Sequence, residues 1–204
     1  SFRVVISYSL ESLQAFEIHE RVRSTIHHLG NTTNMELAQL IKIIHNSQKT
    51  LWILCGLPYS GKTYLSKKII EGTPVAYICI DHILAERGFD WDANRLPKID
   101  EWEKIFEVSY ERLKIALKRN MNVLYDSTNH TKASRDALRK QAQKIGAEVR
   151  VIFVDIPIET LWKRWKENAL QKNRSVVSKE LVEQTIQTFE KPTADENIFL
   201  LLNL

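Results

Sequence analysis

A glycine-containing stretch near residue 60 carries the residue types that hold phosphate groups. Residues Gly56 to Thr63 fit the pattern Gly-x-x-x-x-Gly-Lys-[Ser/Thr]. In this pattern the backbone N–H groups of the loop surround a polyphosphate, the lysine reaches the outer phosphates, and the final hydroxyl is a ligand of Mg²⁺. The sequence therefore predicts a phosphate-binding loop (P-loop) for a nucleoside triphosphate. Its predicted members are Gly56, Leu57, Pro58, Tyr59, Ser60, Gly61, Lys62, Thr63 and Tyr64, with Lys62 on the phosphates and Thr63 on the metal.

Two aspartates follow apolar runs that are suited to buried strands. Asp81 comes after Val75–Ile80, and Asp126 comes after Asn122–Tyr125. Ligands of open α/β sheets bind beyond the carboxyl ends of the strands. Asp126 has the form of the strand-closing aspartate that helps to hold Mg²⁺, directly or through water. Asp81 is a candidate general base or anchor for an acceptor hydroxyl; the alternative is that it caps the N-terminus of the next helix.

Two arginines are candidates for contact with a transferring phosphate. Arg164 lies in a predicted helix, and Arg174 lies in the polar stretch that connects this helix to the next. An arginine-bearing connection is typical of a lid, because closure would bring a guanidinium onto charge that develops in the transition state. The alternative for each is an ordinary surface arginine.

A basic helix follows Asp126 and is open to two interpretations. It could meet an anionic substrate, or it could simply present a solvated face. Its basic residues are Lys132, Arg135, Arg139, Lys140 and Lys144.

The elements that must position these residues follow a regular order from Thr50 onward. Short apolar runs alternate with amphipathic stretches, which predicts an α/β fold with a parallel sheet and helices on both faces. The P-loop lies between an apolar run and a helical pattern that ends at Gly72, as its chemistry requires. The predicted strands are Leu51–Cys55, Val75–Ile80, Asn122–Tyr125, Glu148–Ile156 and Ile198–Leu202.

Residues 1–49 are less regular and are predicted to form an N-terminal extension. They contain a candidate strand at 2–8, amphipathic helical patterns at 10–29 and 35–45, and a break at 30–34. The extension is expected either to pack on the domain formed by residues 50–204 or to bind a protein partner or a second copy of the chain.

Composition sets broad limits on the protein's class. The 204 residues are 44% hydrophobic and 26% charged, which suits one domain with a small appendage. The formal charge of +4 favours anionic partners in general. Cys55 and Cys79 lie in apolar runs, so we expect buried thiols in a reducing compartment. No apolar run approaches the roughly 20 residues that span a bilayer, so we expect a cytoplasmic protein with no membrane partner.

Several longer stretches resemble one family. GLPYSGKTYLSKKI, NVLYDSTNHTKASRD, NRSVV and FEKPTADE are similar to the AAA-type P-loop kinase-like proteins, which are related to polynucleotide 5′-kinases and zeta-toxin-like kinases. The resemblance covers about residues 50–200. The D-S-T-N block, the R-x-V-V segment and F-E-x-P-T are more diagnostic than the P-loop, which very many NTPases share.

The resemblance implies a P-loop NTPase three-layer sandwich with strand order 2-3-1-4-5. It also implies that ATP with Mg²⁺ donates its γ-phosphoryl group to a hydroxyl. Asp81 corresponds to the family's base position and Asp126 to the position after strand 3, while Arg164 and Arg174 correspond to lid arginines, with the lid at about 168–178. The related polynucleotide kinases carry an arginine for the acceptor phosphate soon after this base; here the next arginine is Arg87.

The sequence thus predicts an ATP- and Mg²⁺-dependent kinase acting on a hydroxyl of a nucleic acid or a small molecule. One alternative is an ATPase or nucleotide-sensing switch that acts through a protein partner. Another is a non-catalytic module that keeps the loop for structure.

Overall fold

The computed structural model describes residues 33–34, 36–90, 95–171 and 176–202 of the 204-residue chain. The predicted strand at 2–8, the predicted helix at 10–29 and Arg174 lie outside the described residues. The proposed partner-binding role of the N-terminal extension therefore stays a prediction.

Within the part of the chain that the structure describes, six parallel strands form one sheet in the order β1-β6-β5-β2-β4-β3. Without the short β1, the other five strands have the order 2-3-1-4-5 that the resemblance implied, so the predicted fold class is confirmed. The strands are β1 (Thr33–Asn34), β2 (Thr50–Cys55), β3 (Ala76–Cys79), β4 (Val123–Asp126), β5 (Glu148–Asp155) and β6 (Ile198–Leu202).

The strand β1 corrects the predicted break at residues 30–34. Thr33 and Asn34 pair in parallel with Phe199 and Leu200 of β6. Two polar residues carry no period-2 apolar pattern, so their strand geometry is set by pairing with β6 rather than by local preference.

Seven α-helices surround the sheet within the described ranges. The helix α4 has 20 residues and carries charged side chains along its length. None of these helices is both long and apolar enough to cross a bilayer. The helices are α1 (Leu37–Asn46), α2 (Lys62–Gly72), α3 (Ile80–Glu86), α4 (Ile99–Lys118), α5 (Lys132–Gln143), α6 (Ile158–Gln171) and α7 (Lys179–Gln187), with a 3₁₀ turn at Ala194–Glu196.

The central strand β2 is apolar at almost every position because both of its faces are covered. Leu51, Ile53 and Cys55 pack in a core with residues of α3, α4 and α5. Trp52 and Leu54 point to the other face and pack with residues of α1 and α2. Side chains alternate across a strand, so this division gives two core layers around one sheet. The three-layer architecture follows directly.

The two cysteines are free thiols in buried positions, as predicted. Burial is the largest influence on Cys55 and raises its pKa to about 12. A thiol with so high a pKa is not a nucleophile at neutral pH.

The end of β3 lies one residue earlier than predicted, and this changes the environment of Asp81. Cys79 is the N-cap of α3, and Ile80 is its first helical residue. Asp81 therefore lies within the first turn, and its interpretation as an N-cap is wrong. A carboxylate in this turn is favoured by the unpaired N–H groups of the helix start.

Candidate active site

The P-loop joins β2 to α2 and requires glycine at two points. Gly61 is the N-cap of α2 and has φ 109°, a conformation that residues with a Cβ rarely adopt. A Cβ added to Gly56 would lie 2.7 Å from the carbonyl oxygen of Val154 and 2.9 Å from Ser60 Oγ. The motif glycines therefore allow the tight turn and the close contact of the loop with β5.

Lys62 and Ser60 give the loop the character of an anion site. The Lys62 ammonium donates hydrogen bonds to the carbonyl oxygens of Gly56 (2.7 Å) and Leu57 (2.8 Å), so its positive charge lies against the loop. Ser60 is 1% exposed, and its Oγ has no hydrogen-bond partner among the described residues. Because buried hydroxyls are normally paired, a phosphate oxygen or a water held by the loop would complete this site.

Thr63 and Tyr64 occupy the first turn of α2, and both are exposed. The first N–H groups of a helix have no partner within the helix, and they favour negative charge. This end of α2 therefore adds to the positive potential around the loop.

Asp126 is the last residue of β4, and its orientation is set by a tyrosine that the sequence analysis did not identify. The hydroxyl of Tyr77, in β3, donates a hydrogen bond to Asp126 Oδ2 at 2.6 Å, and it lies 3.4 Å from Ser66 Oγ in α2. Burial, and then the charge of Asp126, raise the pKa of Tyr77 above its ordinary value. Tyr77 therefore remains a protonated donor to the Asp126 carboxylate, and its hydroxyl lies beside α2.

The two predicted carboxylates lie at the same edge of the sheet as the P-loop. Asp126 is the strand partner of Cys79, and Asp81 follows Cys79 by two residues. The strand β4 also pairs with β2, which leads into the loop. Asp126 is 8% exposed, whereas Asp81 is exposed on the first turn of α3. One carboxylate is thus enclosed by the protein and the other is exposed on the surface.

The segment after β4 is held against β2 by a buried asparagine. The Asn129 side chain donates to the carbonyl oxygen of Leu54 at 2.7 Å. Its backbone has φ 46°, which asparagine tolerates better than most residues, and the N–H of Gly56 donates to the carbonyl oxygen of Thr128 at 3.4 Å. These contacts fix the segment beside the start of the P-loop.

Arg135 is a buried structural residue, and neither interpretation of the basic helix describes it. Its side chain is 0% exposed, and its Nε and Nη2 donate to Glu196 at 2.7 and 3.0 Å. Its Nη1 donates to the carbonyl oxygen of Asn129 at 3.0 Å. Arg139 also approaches Glu196, at 3.6 Å. Arg135, itself held by Glu196, thus fixes the Asn129 segment through the hydrogen bond to the Asn129 carbonyl oxygen.

Arg164 reaches the P-loop from α6. Its Nη1 lies 3.2 Å from the carbonyl oxygen of Tyr59 and 3.1 Å from that of Ser60, and it donates to both. The structure therefore brings Arg164 together with the loop, in a half-buried position. The second predicted lid arginine, Arg174, lies outside the described residues.

A family comparison covers these residues except Glu196. The family model described as an AAA domain matches residues 51–192. The chain belongs to this AAA domain family. The matched range begins in β2 and continues past α7, and it includes the P-loop, both carboxylates and both predicted lid arginines. The P-loop kinase-like resemblance predicted from the sequence is thereby confirmed.

One relative of this AAA domain chain is an adenylate kinase from Phocaeicola vulgatus. The two sequences are 24% identical over 151 residues, which are 70% of this chain and 79% of the relative.

Two solved structures illustrate the similarity of fold. One is a chain of the Pnkp1/Rnl/Hen1 complex, with a TM-score of 0.52 and 24% identity over 58% of this AAA domain chain. The match spans only 40% of that longer chain. The other is Chaetomium thermophilum Kti12 in complex with ADP-AlF3, with a TM-score of 0.56, 24% identity and coverage of 74% of this chain and 88% of Kti12. At these identities the likeness establishes the fold.

Proposed function

We propose that this protein is a kinase that transfers the γ-phosphoryl group of ATP, with Mg²⁺, to a hydroxyl group. The observation that carries the proposal is the common location of the P-loop, the enclosed Asp126 and the exposed Asp81 at one edge of the sheet. Phosphoryl transfer needs a phosphate cradle, a metal-holding oxygen and a group that orients the acceptor. One relative is named as an adenylate kinase, and this name denotes the same class of reaction, phosphoryl transfer.

The donor side of the reaction would use the loop. The loop amides and Lys62 would hold the β- and γ-phosphates, and the buried Ser60 Oγ has the free hydrogen-bonding capacity that fits a bound phosphate oxygen or water. For Lys62 to reach a phosphate, its ammonium would exchange the carbonyls of Gly56 and Leu57 for phosphate oxygens. Oxygens of higher negative charge are the stronger partners of an ammonium.

Asp126 and Thr63 fit the requirements of Mg²⁺. Mg²⁺ prefers oxygen ligands and is usually held by one or two protein groups together with phosphates and waters. Tyr77 occupies Oδ2 of Asp126, which leaves Oδ1 for the metal or a metal-bound water. When bound, the metal would neutralise charge on the β- and γ-phosphates.

Asp81 would orient the acceptor hydroxyl and accept its proton. Arg164 would act on the transferred phosphate from the side of α6, since it already contacts the loop. Arg174 is proposed as the second lid arginine on sequence grounds alone.

A small-molecule acceptor is favoured over a nucleic-acid end. Arg87, the first arginine after Asp81, lies 3.2 Å from Glu101 and donates to it. In the basic helix, Arg135 and Arg139 approach Glu196, and Lys132 lies 3.0 Å from Asp136. Arg135 is therefore enclosed and out of reach of a nucleic-acid backbone, and Arg87 and Lys132 would have to exchange their carboxylate partners to bind one.

The test is incubation with γ-labelled ATP and Mg²⁺ against a panel of sugar, antibiotic, RNA and DNA acceptors. Label on a small molecule, with little dependence on salt, is the expected result. Label on a nucleic acid with steep salt dependence would indicate a polyanionic acceptor, because several phosphate contacts release counterions. Label found only as inorganic phosphate would favour the ATPase or switch alternative.

A further inference from the structure

The P-loop is packed against the helices that follow β5 through two of its own side chains. Leu57 and Tyr59 are 9% and 6% exposed. They share a hydrophobic cluster with Leu161 of α6 and Val182 of α7, and Trp165 and Val177 pack against it. The loop that would bind nucleotide thus packs directly against residues of α6 and α7.

Tyr59 has an unusual backbone for its type. Its φ is 63°, in the left-handed region where a large side chain is disfavoured. Such strain persists only when surrounding contacts hold the residue in place, and it is concentrated at functional sites. The buried ring supplies one of these contacts. The Tyr59 hydroxyl and the Tyr59 carbonyl oxygen supply two others through hydrogen bonds.

The Tyr59 hydroxyl accepts a hydrogen bond from the backbone N–H of Val177 at 3.2 Å. The carbonyl oxygen of the same Val177 accepts one from the Trp165 indole N–H at 2.9 Å. Val177 lies just before α7, and its backbone N–H and C=O are both held, the first by the P-loop and the second by α6. Arg164 completes the connection, because it donates to the carbonyl oxygen of Tyr59 itself.

We propose that Tyr59 is a positioning residue that couples nucleotide binding in the P-loop to the placement of the segment 176–178, through its hydrogen bond to Val177. A change in the loop at Tyr59 is transmitted to Val177 directly, because the ring and the hydroxyl move with the strained backbone. This coupling rests on the proposed function in one respect, namely that the loop binds ATP with Mg²⁺.

The test compares Tyr59→Phe, which removes only the hydroxyl, with the matched control Tyr110→Phe on α4, which lies outside the site and is half-buried. Hydrogen exchange of the Val177 amide is measured with and without ATP and Mg²⁺, and ATP affinity is measured by calorimetry. In the wild type and the control, ATP should slow exchange at Val177. In Tyr59→Phe, exchange without ATP should be about five- to tenfold faster, and the slowing by ATP should be lost. Calorimetry gives the ATP concentration that saturates each variant, so that exchange at Val177 is compared at equal occupancy of the loop.

The possible results separate failure of the proposed function from failure of the coupling. Absence of ATP binding to the wild type would refute the proposed function. Binding by the wild type without any change at Val177, or an unchanged ATP effect in Tyr59→Phe, would refute the coupling and leave the proposed function intact. If the phenylalanine variant misfolds, Trp165→Phe removes the second anchor of Val177, and it should also accelerate exchange there; unchanged exchange would overturn the proposal.

Discussion

Replacing Arg135 with methionine should destabilise the protein by about 3–5 kcal/mol. Arg135 and Glu196 are 0% and 1% exposed, and two nitrogens of the guanidinium lie 2.7 and 3.0 Å from the carboxylate oxygens. Methionine would fill much of the space but would leave the Glu196 charge buried without its main partner. For a chain of this length the loss corresponds to a fall in Tm of about 6–20 °C.

The assay is urea or thermal unfolding followed by circular dichroism at neutral pH. Lys140→Met is the control, because it removes an equal charge from an exposed position of the same helix and should change stability by less than about 0.5 kcal/mol. The double variant Arg135→Met/Glu196→Gln removes the stranded charge and should recover about 1 kcal/mol or more of the loss. A loss below about 1 kcal/mol in Arg135→Met, or simple additivity in the double variant, would refute this view of the pair.

The same pair predicts a pH dependence. Burial acts to raise the pKa of Glu196, but the hydrogen bonds and charge of Arg135, with the backbone N–H of Thr193, outweigh it and lower the pKa below the ordinary 4.5. A carboxyl group with a lowered folded-state pKa stabilises the protein above its unfolded pKa, and it loses that contribution as the pH falls through the folded value. The stability difference between the wild type and Glu196→Gln should therefore be constant near neutral pH and shrink below about pH 4.5. A difference that grows with acid would contradict the assignment.

Two further variants test the site itself. Asp81→Asn should leave ATP affinity nearly intact while kcat falls by about 10²- to 10⁴-fold, because the group acts on the acceptor; a loss of ATP affinity measured by calorimetry would place Asp81 with the metal instead. Tyr77→Phe should raise the Mg²⁺ concentration needed for half-maximal activity by about 10- to 100-fold, since groups that orient a metal ligand have effects of this size. An unchanged Mg²⁺ titration would mean that the Tyr77 hydrogen bond does not orient Asp126 for metal binding.

The strands and the position of the P-loop could be predicted because their signals are local in the sequence, whereas the strand order was implied by the family resemblance. The motif at Gly56–Thr63 and the apolar runs before Asp81 and Asp126 each fall within about ten residues. The boundary at Asp81 was missed because Ile80 continues the apolar run of β3 while its backbone is already helical. Apolar residues suit either element, and the pattern alone does not locate the change.

The contacts that support the site were not predictable, since they join distant parts of the chain. Arg135 and Glu196 are 61 residues apart, and Tyr59 and Val177 are 118 apart. A row of basic residues on a helix does not indicate which member faces the core. The one available signal was the F-E-x-P-T segment, whose resemblance pointed to residues just before Glu196. Tyr77 gave no signal, because an aromatic residue in an apolar strand is ordinary.

The central claim is that the loop at Gly56–Thr63 holds ATP for phosphoryl transfer, and turnover of γ-labelled ATP in Lys62→Ala tests it most directly. The control is Lys67→Ala, an exposed lysine later in the same helix. We predict that the control turns over ATP as the wild type does, while Lys62→Ala loses about 10²-fold or more, because the charge that stabilises the transferring phosphate is gone. Undiminished turnover in Lys62→Ala would contradict the account.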